Sequence, residues 1–160
     1  MHVNFITDEY SGNRLLEITD ARIIFRNFEG RPDQFTREGD RSFSLMIPDQ
    51  EIADALMDDR NEFGVGWNVK IREAREEGDE PFRHMKVKVK FNARGPQVEV
   101  VDGGNIRELD EESVKMLDEI DIDHVDLYVR PYDDEGRFGP FRSAYLQAMR
   151  VYMRRRYFAD

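Results

Sequence analysis

A mainly β domain, curled into a small barrel with two short helices at its margins, is the architecture this sequence predicts. Three observations carry the prediction. Stretches in which apolar and polar residues alternate recur along the chain, the period of a strand with one buried face. Clusters of Gly, Pro, Asp and Asn separate them at short range, so successive strands are joined locally. Helical spacing occurs in only two stretches, both short. The 160 residues are enough for one hydrophobic core, and no repeat, low-complexity tract or linker divides them, so a single domain over 1–160 is expected.

Taken in order, ITDARIIFRNF (Ile18 to Phe28) is rich in β-formers and is followed by the turn-like EGRPDQ. SFSLMI (Ser42 to Ile47) alternates with a period of two. Pro48 and Asp49 open a helix running to about Asp59, with Ile52, Ala55 and Leu56 on its apolar face. The glycines of EFGVGW lead into the strand WNVKIR (Trp67 to Arg72), and EAREEGDEP is an acidic connection. Met85 to Phe91 is a strand, Gln97 to Val101 a short one, and VDGGN a turn. LDEESVKMLDEI is the second helix, with Asp110 as its N-cap. His124 to Arg130 and Arg142 to Met153 pair as an extended C-terminal hairpin around DDEGRFGP. Six or seven local strands with marginal helices fit an OB-type barrel better than a ferredoxin-like sandwich, which uses fewer strands and longer helices.

The composition is that of a soluble protein, with 39% apolar and 36% charged residues. It has no cysteine, which excludes disulfides and thiolate metal sites and fits a reducing compartment. The N-terminus MHVNFITDEYSGNR lacks a basic-then-apolar signal pattern and no apolar run is long enough to span a membrane, so a cytoplasmic protein without membrane partners is expected. A formal charge of −10 argues against unspecific adhesion to nucleic acid or anionic lipid. It leaves open a local basic site, because exposed charges farther apart than about 8 Å are largely screened at physiological salt.

Such a site is suggested by PFRHMKVKVKFNARGP, which gathers Arg83, Lys86, Lys88, Lys90 and Arg94 without an acid. Sorting the strands by alternation turns Met85, Val87, Val89 and Phe91 inward and Lys86, Lys88 and Lys90 outward. The same rule turns out Lys70 and Arg72, then Tyr128 and Arg130. On the last strand it puts Arg150 and Tyr152 on one face with Leu146 and Ala148, opposite Tyr145, Gln147, Met149, Val151 and Met153. Arg22, Arg26 and Phe28 share a parity on the first strand. Cations that follow phosphates, interleaved with flat rings that stack on unpaired bases, are what a single-strand nucleic-acid surface needs. Lys alternating with Val is also what a solvated strand face shows, and exposed Lys discourages edge pairing. Recurrence on four or five strands favours binding. The basic, aromatic end MRVYMRRRYFAD either closes such a groove or forms a terminal strand.

No constellation for catalysis is present. GVGW and DGGN lack the setting of a phosphate loop, no Gly-x-Ser-x-Gly elbow occurs, and His2, His84 and His124 stand apart. DEIDIDHVD lacks the spacing of a calcium loop and reads as a solvated connection. No enzyme activity, metal or cofactor is expected.

TDARIIFRNFEG, REGDRSFSLMI, GWNVKIREAREEGDEP, VKVKFN and VDLYVRPYD, in this order, resemble small phage and prophage proteins of the OB-fold single-stranded-DNA-binding type, over roughly Ile18 to Tyr152. The resemblance implies a protein that coats single-stranded DNA in phage replication or recombination without strong sequence preference, with phage or host replication proteins as further partners. The residues that carry it are Arg22, Arg26, Phe28, Arg41, Lys70, Lys86, Lys88, Lys90, Tyr128 and Arg130; the mechanism expected is tracking of the backbone by outward Lys and Arg, with bases stacking on Phe28, Tyr128 and Tyr152. EFGVG before Trp67 departs from the pattern as extra loop residues. The chain ends RRRYFAD where many replication single-strand binders carry an acidic tail, so tail-mediated recruitment is not expected. The rival reading, motivated by the −10 charge, is an acidic phage protein that binds and inhibits a host protein.

Overall fold

The computed structural model describes residues 1–34, 36–93 and 95–155. Arg94 and the chain end past Arg155, both counted in the basic stretches above, lie outside the described residues. β1 (His2–Thr7) and β2 (Arg14–Ala21) form a hairpin, and β3 (Ile23–Asn27) pairs with β4 (Arg41–Ile47). α1 (Gln50–Asp58) follows, with Asp49 at its N-cap accepting the Ile52 N–H. β5 (Val69–Arg72), β6 (Phe82–Val89), β7 (Gln97–Asp102) and β8 (Asn105–Leu109) lead to a 3-10 helix (Ser113–Asp118). β9 (Ile122–Gly136) and β10 (Gly139–Met153) pair as a hairpin of two 15-residue strands.

Hydrogen bonding orders the strands β1-β2-β9-β10-β6-β4-β3, with β5 on β6, β7 on β10 and β8 on β7. The mainly β expectation and the long C-terminal hairpin hold. The closed barrel does not, because no ladder joins the β3 end of the order to β2. β2 and β3 are two halves of one bent segment with only Arg22 between them. Such halves cannot lie side by side. The bend is marked by left-handed backbone at Asp20 and Phe25, both with φ of 52°, each inside a register shift of its ladder. The Asp20 N–H donates to Asp126 at 2.9 Å and holds the first of these in place.

Alternation places the core as expected on β6 and β9. Leu16 and Ile18, Phe43 and Leu45, Met85 and Val87, and Val125, Leu127 and Val129 are buried, each contributing about 1.5–3 kcal/mol by leaving water. On α1 the buried residues are Ala53 and Leu56 while Ala55 is exposed, a turn of the apolar face away from the expected one. On β10 the expected parity fails part-way. A bulge between Leu146 and Ala148 takes up one residue, so Ala144 and Leu146 point inward before it and Met149 and Val151 after it. β1 and β8 were not foreseen, since both are largely exposed and leave no alternating signature.

Behind α1 the chain returns so closely that Gly66 leaves no room for a side chain: a Cβ there would lie 1.9 Å from the Met57 carbonyl oxygen. Gly66→Ala is therefore expected to cost about 1–3 kcal/mol of stability, measured by urea unfolding.

Candidate nucleic-acid interface

The outer row of β6 is built by alternation: Phe82, His84, Lys86 and Lys88 face out while Arg83, Met85, Val87 and Val89 are buried. Arg83 thus leaves the row, its Nε donating to Gln50 Oε1 at 2.8 Å. On one flank β4 sets Met46, Ser44 and Ser42 opposite His84, Lys86 and Lys88. On the other, β5 sets Lys70 beside His84 and Arg72 beside Phe82, and Tyr145 of β10 lies beside Lys88. Lys90 continues the row past the strand end. Two carboxylates, Asp40 and Glu111, line the same cavity as Lys86, Lys88 and Lys90 without pairing with them. Among the described residues, Lys70, Arg72, Lys86, Lys88, Lys90 and Arg130 make no ion pair.

Aromatic rings stand at both ends of the row. At one end Phe82 stacks on His84 with centroids 5.1 Å apart, and Phe25 meets both edge-on at 6.2 and 5.7 Å. Phe25 is 63% exposed because the left-handed bulge in β3 turns it outward. Left-handed backbone at a bulky residue is disfavoured, and residues held so cluster at ligand-binding positions. Burial first, then Lys70 and Arg72, hold the His84 imidazole below its ordinary pKa, so it stacks as a neutral ring near pH 7. At the other end Tyr145 lies under two cations, Arg130 at 4.9 Å and Lys88 at 5.8 Å. Tyr132 meets Tyr145 edge-on at 6.1 Å and Phe141 at 6.2 Å, carrying the face onto the hairpin arm. A cavity of about 380 Å³ between Lys86, Lys88, Lys90, Phe91 and Tyr145 lies between the two ends. The arrangement binds a flexible polyanion with unpaired planar groups.

Lys70, Arg72, Lys86, Lys88, Lys90 and Arg130 are therefore brought together as expected. Arg41 borders the same cavity, although its Nε donates to the Phe28 carbonyl at 3.0 Å and its Nη1 meets Glu111 at 3.4 Å. The other expected residues lie elsewhere. Phe28 is fully buried and stacks on Phe43 at 5.5 Å, so its ring is closed to any base. Arg26 spends its guanidinium on the carbonyls of Leu117 and Ile120, at 2.6 and 2.8 Å, tying β3 to the 3-10 helix. Arg22 reaches the Asp123 carbonyl at 3.5 Å, and Tyr152 stacks on His124 at 4.3 Å. Tyr128 donates to Glu17 at 3.0 Å, and Arg150 is held by Glu99. These last two line a second concavity of about 660 Å³ whose rim is acidic, with Glu17, Glu99, Glu108 and Asp126. The acids of DEIDIDHVD serve structure: Asp118 accepts the N–H groups of Phe28 and Glu29, and Asp123 pairs with His124.

Phe25, Phe82, Tyr132, Phe141 and Tyr145 are the rings that sequence reasoning missed. Phe82 and His84 share the parity of the lysines and were legible from it. Tyr145 was grouped with core residues by an alternation that the β10 bulge interrupts. Phe25 carries no sequence signal, because its outward turn depends on a backbone conformation that alternation does not report.

Residues 8–158 match the family model described as "Putative phage ssDNA-binding domain". Among solved structures the chain is similar to the single-stranded DNA-binding protein from bacteriophage Enc34, with 14% identity and a TM-score of 0.56 over 98% of this chain and 94% of that one. A C-terminal truncation of that protein aligns with 13% identity and a TM-score of 0.54, over 97% and 98% of the two chains. Its complex with single-stranded DNA aligns with 14% identity and a TM-score of 0.54, over 91% and 89%. At these identities the likeness is one of fold. No curated protein matches the chain.

Proposed function

The chain belongs to the phage ssDNA-binding domain family, and from that premise we propose that it coats single-stranded DNA in phage replication or recombination, through the β4-β6-β5 face and the base of the β9-β10 arm. The family is one of DNA-binding proteins and not of enzymes. The observation that carries the reading is the row of ion-pair-free cations, Lys70, Arg72, Lys86, Lys88, Lys90 and Arg130, set between two groups of rings in an otherwise acidic protein. Cations follow the phosphates whatever the base sequence, and each stacked base adds about 1–3 kcal/mol.

An OB-type architecture is the finer reading of the fold. In that partly open, five-stranded Greek-key barrel the face of the second and third strands carries oligonucleotides. Here the bent β2–β3 segment takes the first place in the barrel, β4 and β6 the second and third, and β9 and β10 the last two. The order β2-β9-β10-β6-β4-β3 supports this, since it begins and ends on that bent segment. So does the parallel pairing of β6 with β10.

Fluorescence anisotropy of a labelled oligo-dT across a salt series, beside a matched duplex, tests the function. Affinity is expected to fall linearly on a log–log plot with a slope of about −4, if the six cations each release counterions at about 0.7 per phosphate. The duplex is expected to bind far more weakly, because its stacked bases offer nothing to the rings. No binding at low salt overturns the reading and turns attention to a protein partner.

A further inference from the structure

Beyond Lys90 the lysine row enters another cavity, of about 400 Å³, between the β1–β2 turn, the β6–β7 connection and the base of the β9–β10 hairpin. Lys90 lines this cavity as well as the one under Tyr145, so the two are consecutive stations of one path. Four polar side chains on its wall are unengaged: the Lys90 ammonium, the Arg130 guanidinium and the amides of Asn13 and Gln147 make no hydrogen bond or ion pair among the described residues. Arg130 lies over the Tyr145 ring. Asp8, the acid on the same wall, is already committed, one oxygen accepting the Tyr10 N–H and the other the Ser11 hydroxyl.

Gln147 lines this cavity because of the β10 bulge. The register shift between Leu146 and Ala148 leaves it without a partner on β9. Bulges redirect a side chain in this way beside binding sites, and the four side chains are free to be engaged by a ligand that enters the recess. The volume falls within the ~300–1,000 Å³ of small-molecule pockets.

We propose that this cavity seats one nucleotide of the bound strand, with its phosphate between Lys90 and Arg130 and its base edge hydrogen-bonded by the amides of Asn13 and Gln147. The proposal rests on the single-stranded DNA reading above and adds to it one position at which base identity matters. An amide presents a donor beside an acceptor and so pairs with some base edges better than others, whereas the rings of the open face accept any base.

The test measures the affinities of dT, dC and dA 12-mers at one salt concentration, for the wild-type chain and for the Asn13→Ala/Gln147→Ala double variant. A ratio of best to worst homopolymer that falls by about fivefold or more in the variant, with its weakest binder changed less than about twofold, supports the pocket. An unchanged ratio overturns it, and so does a wild-type chain that binds all three equally well. Failure of the wild type to bind any of them overturns the underlying reading as well, and is thereby distinguished. Gln147→Glu, which keeps the shape, loses the amide donor and adds a negative charge felt alike by all three homopolymers, guards against misfolding. It is expected to shift the order of preference with an unchanged melting curve, and an unchanged order with that curve also overturns the pocket.

Discussion

Changing Lys86, Lys88 and Lys90 together to Glu is expected to weaken single-stranded DNA binding about a thousandfold or more while leaving the fold intact. A unit charge pair at about 4 Å in water is worth about 1 kcal/mol, and a reversal replaces that attraction with an equal repulsion. About 2 kcal/mol for each lysine exceeds tenfold each, and three compound to at least a thousandfold. The fold survives because these side chains have no structural duty: Lys86 and Lys88 are exposed and sit opposite Ser44 and Ser42, so no acid is brought against another across the ladder. Anisotropy with oligo-dT reads the affinity, and a thermal melt by circular dichroism reads the fold. Wild-type affinity in a well-folded triple variant would move the interface off β6.

The second large effect is on stability. Arg142, with 3% of its side chain exposed, joins three parts of the chain: its Nε donates to Asp133 across the hairpin at 2.7 Å, its Nη1 donates to the Asp59 carbonyl at 2.6 Å, and its guanidinium lies 4.8 Å over the Trp67 ring. Trp67 itself donates to Asp59 at 2.9 Å. Arg142→Ala strips these partners at once and is expected to cost about 3–5 kcal/mol in urea unfolding, the usual result of breaking a buried pair from one side. The pH dependence has a defined sign. Burial pushes the Asp133 carboxyl up, but the hydrogen bonds and charge of Arg142 outweigh it and hold the folded value below the ordinary 3.8. The stabilisation is therefore fully present above that pH and is lost as pH falls through the lower folded value. Wild-type stability is expected to decline below pH 3.8 more steeply than that of the variant, which has no such pair to lose.

Much of this was legible before any coordinates. Alternation marked the lysine face of β6 and the outward Lys70 and Arg72, because these lie on regular strands. Asp49 signalled the start of α1 because capping is a local matter of one carboxylate and one turn. Where the backbone departs from regularity the reading failed. The β10 bulge hid Tyr145, and the β3 bulge hid Phe25. Phe28 was taken for a stacking ring by its parity with Arg22 and Arg26, yet it lies in the core against Phe43. Charge misled in another way: Arg26 and Arg150 are cations that the protein itself has used, one on carbonyls and one on Glu99. A sequence counts such arginines with the free ones. Only tertiary structure shows which positive charges remain for a ligand.

The acidic concavity bears on what a coated strand looks like from outside. A copy bound through the lysine row leaves uncovered Glu17, Glu99, Glu108 and Asp126, which line a different concavity. The sleeve so formed is itself an anion. It repels other sleeves, bare strands and duplexes much as uncovered DNA does, so the coating does not glue one strand to the next. An all-basic coat would condense its cargo, whereas this one keeps it dispersed.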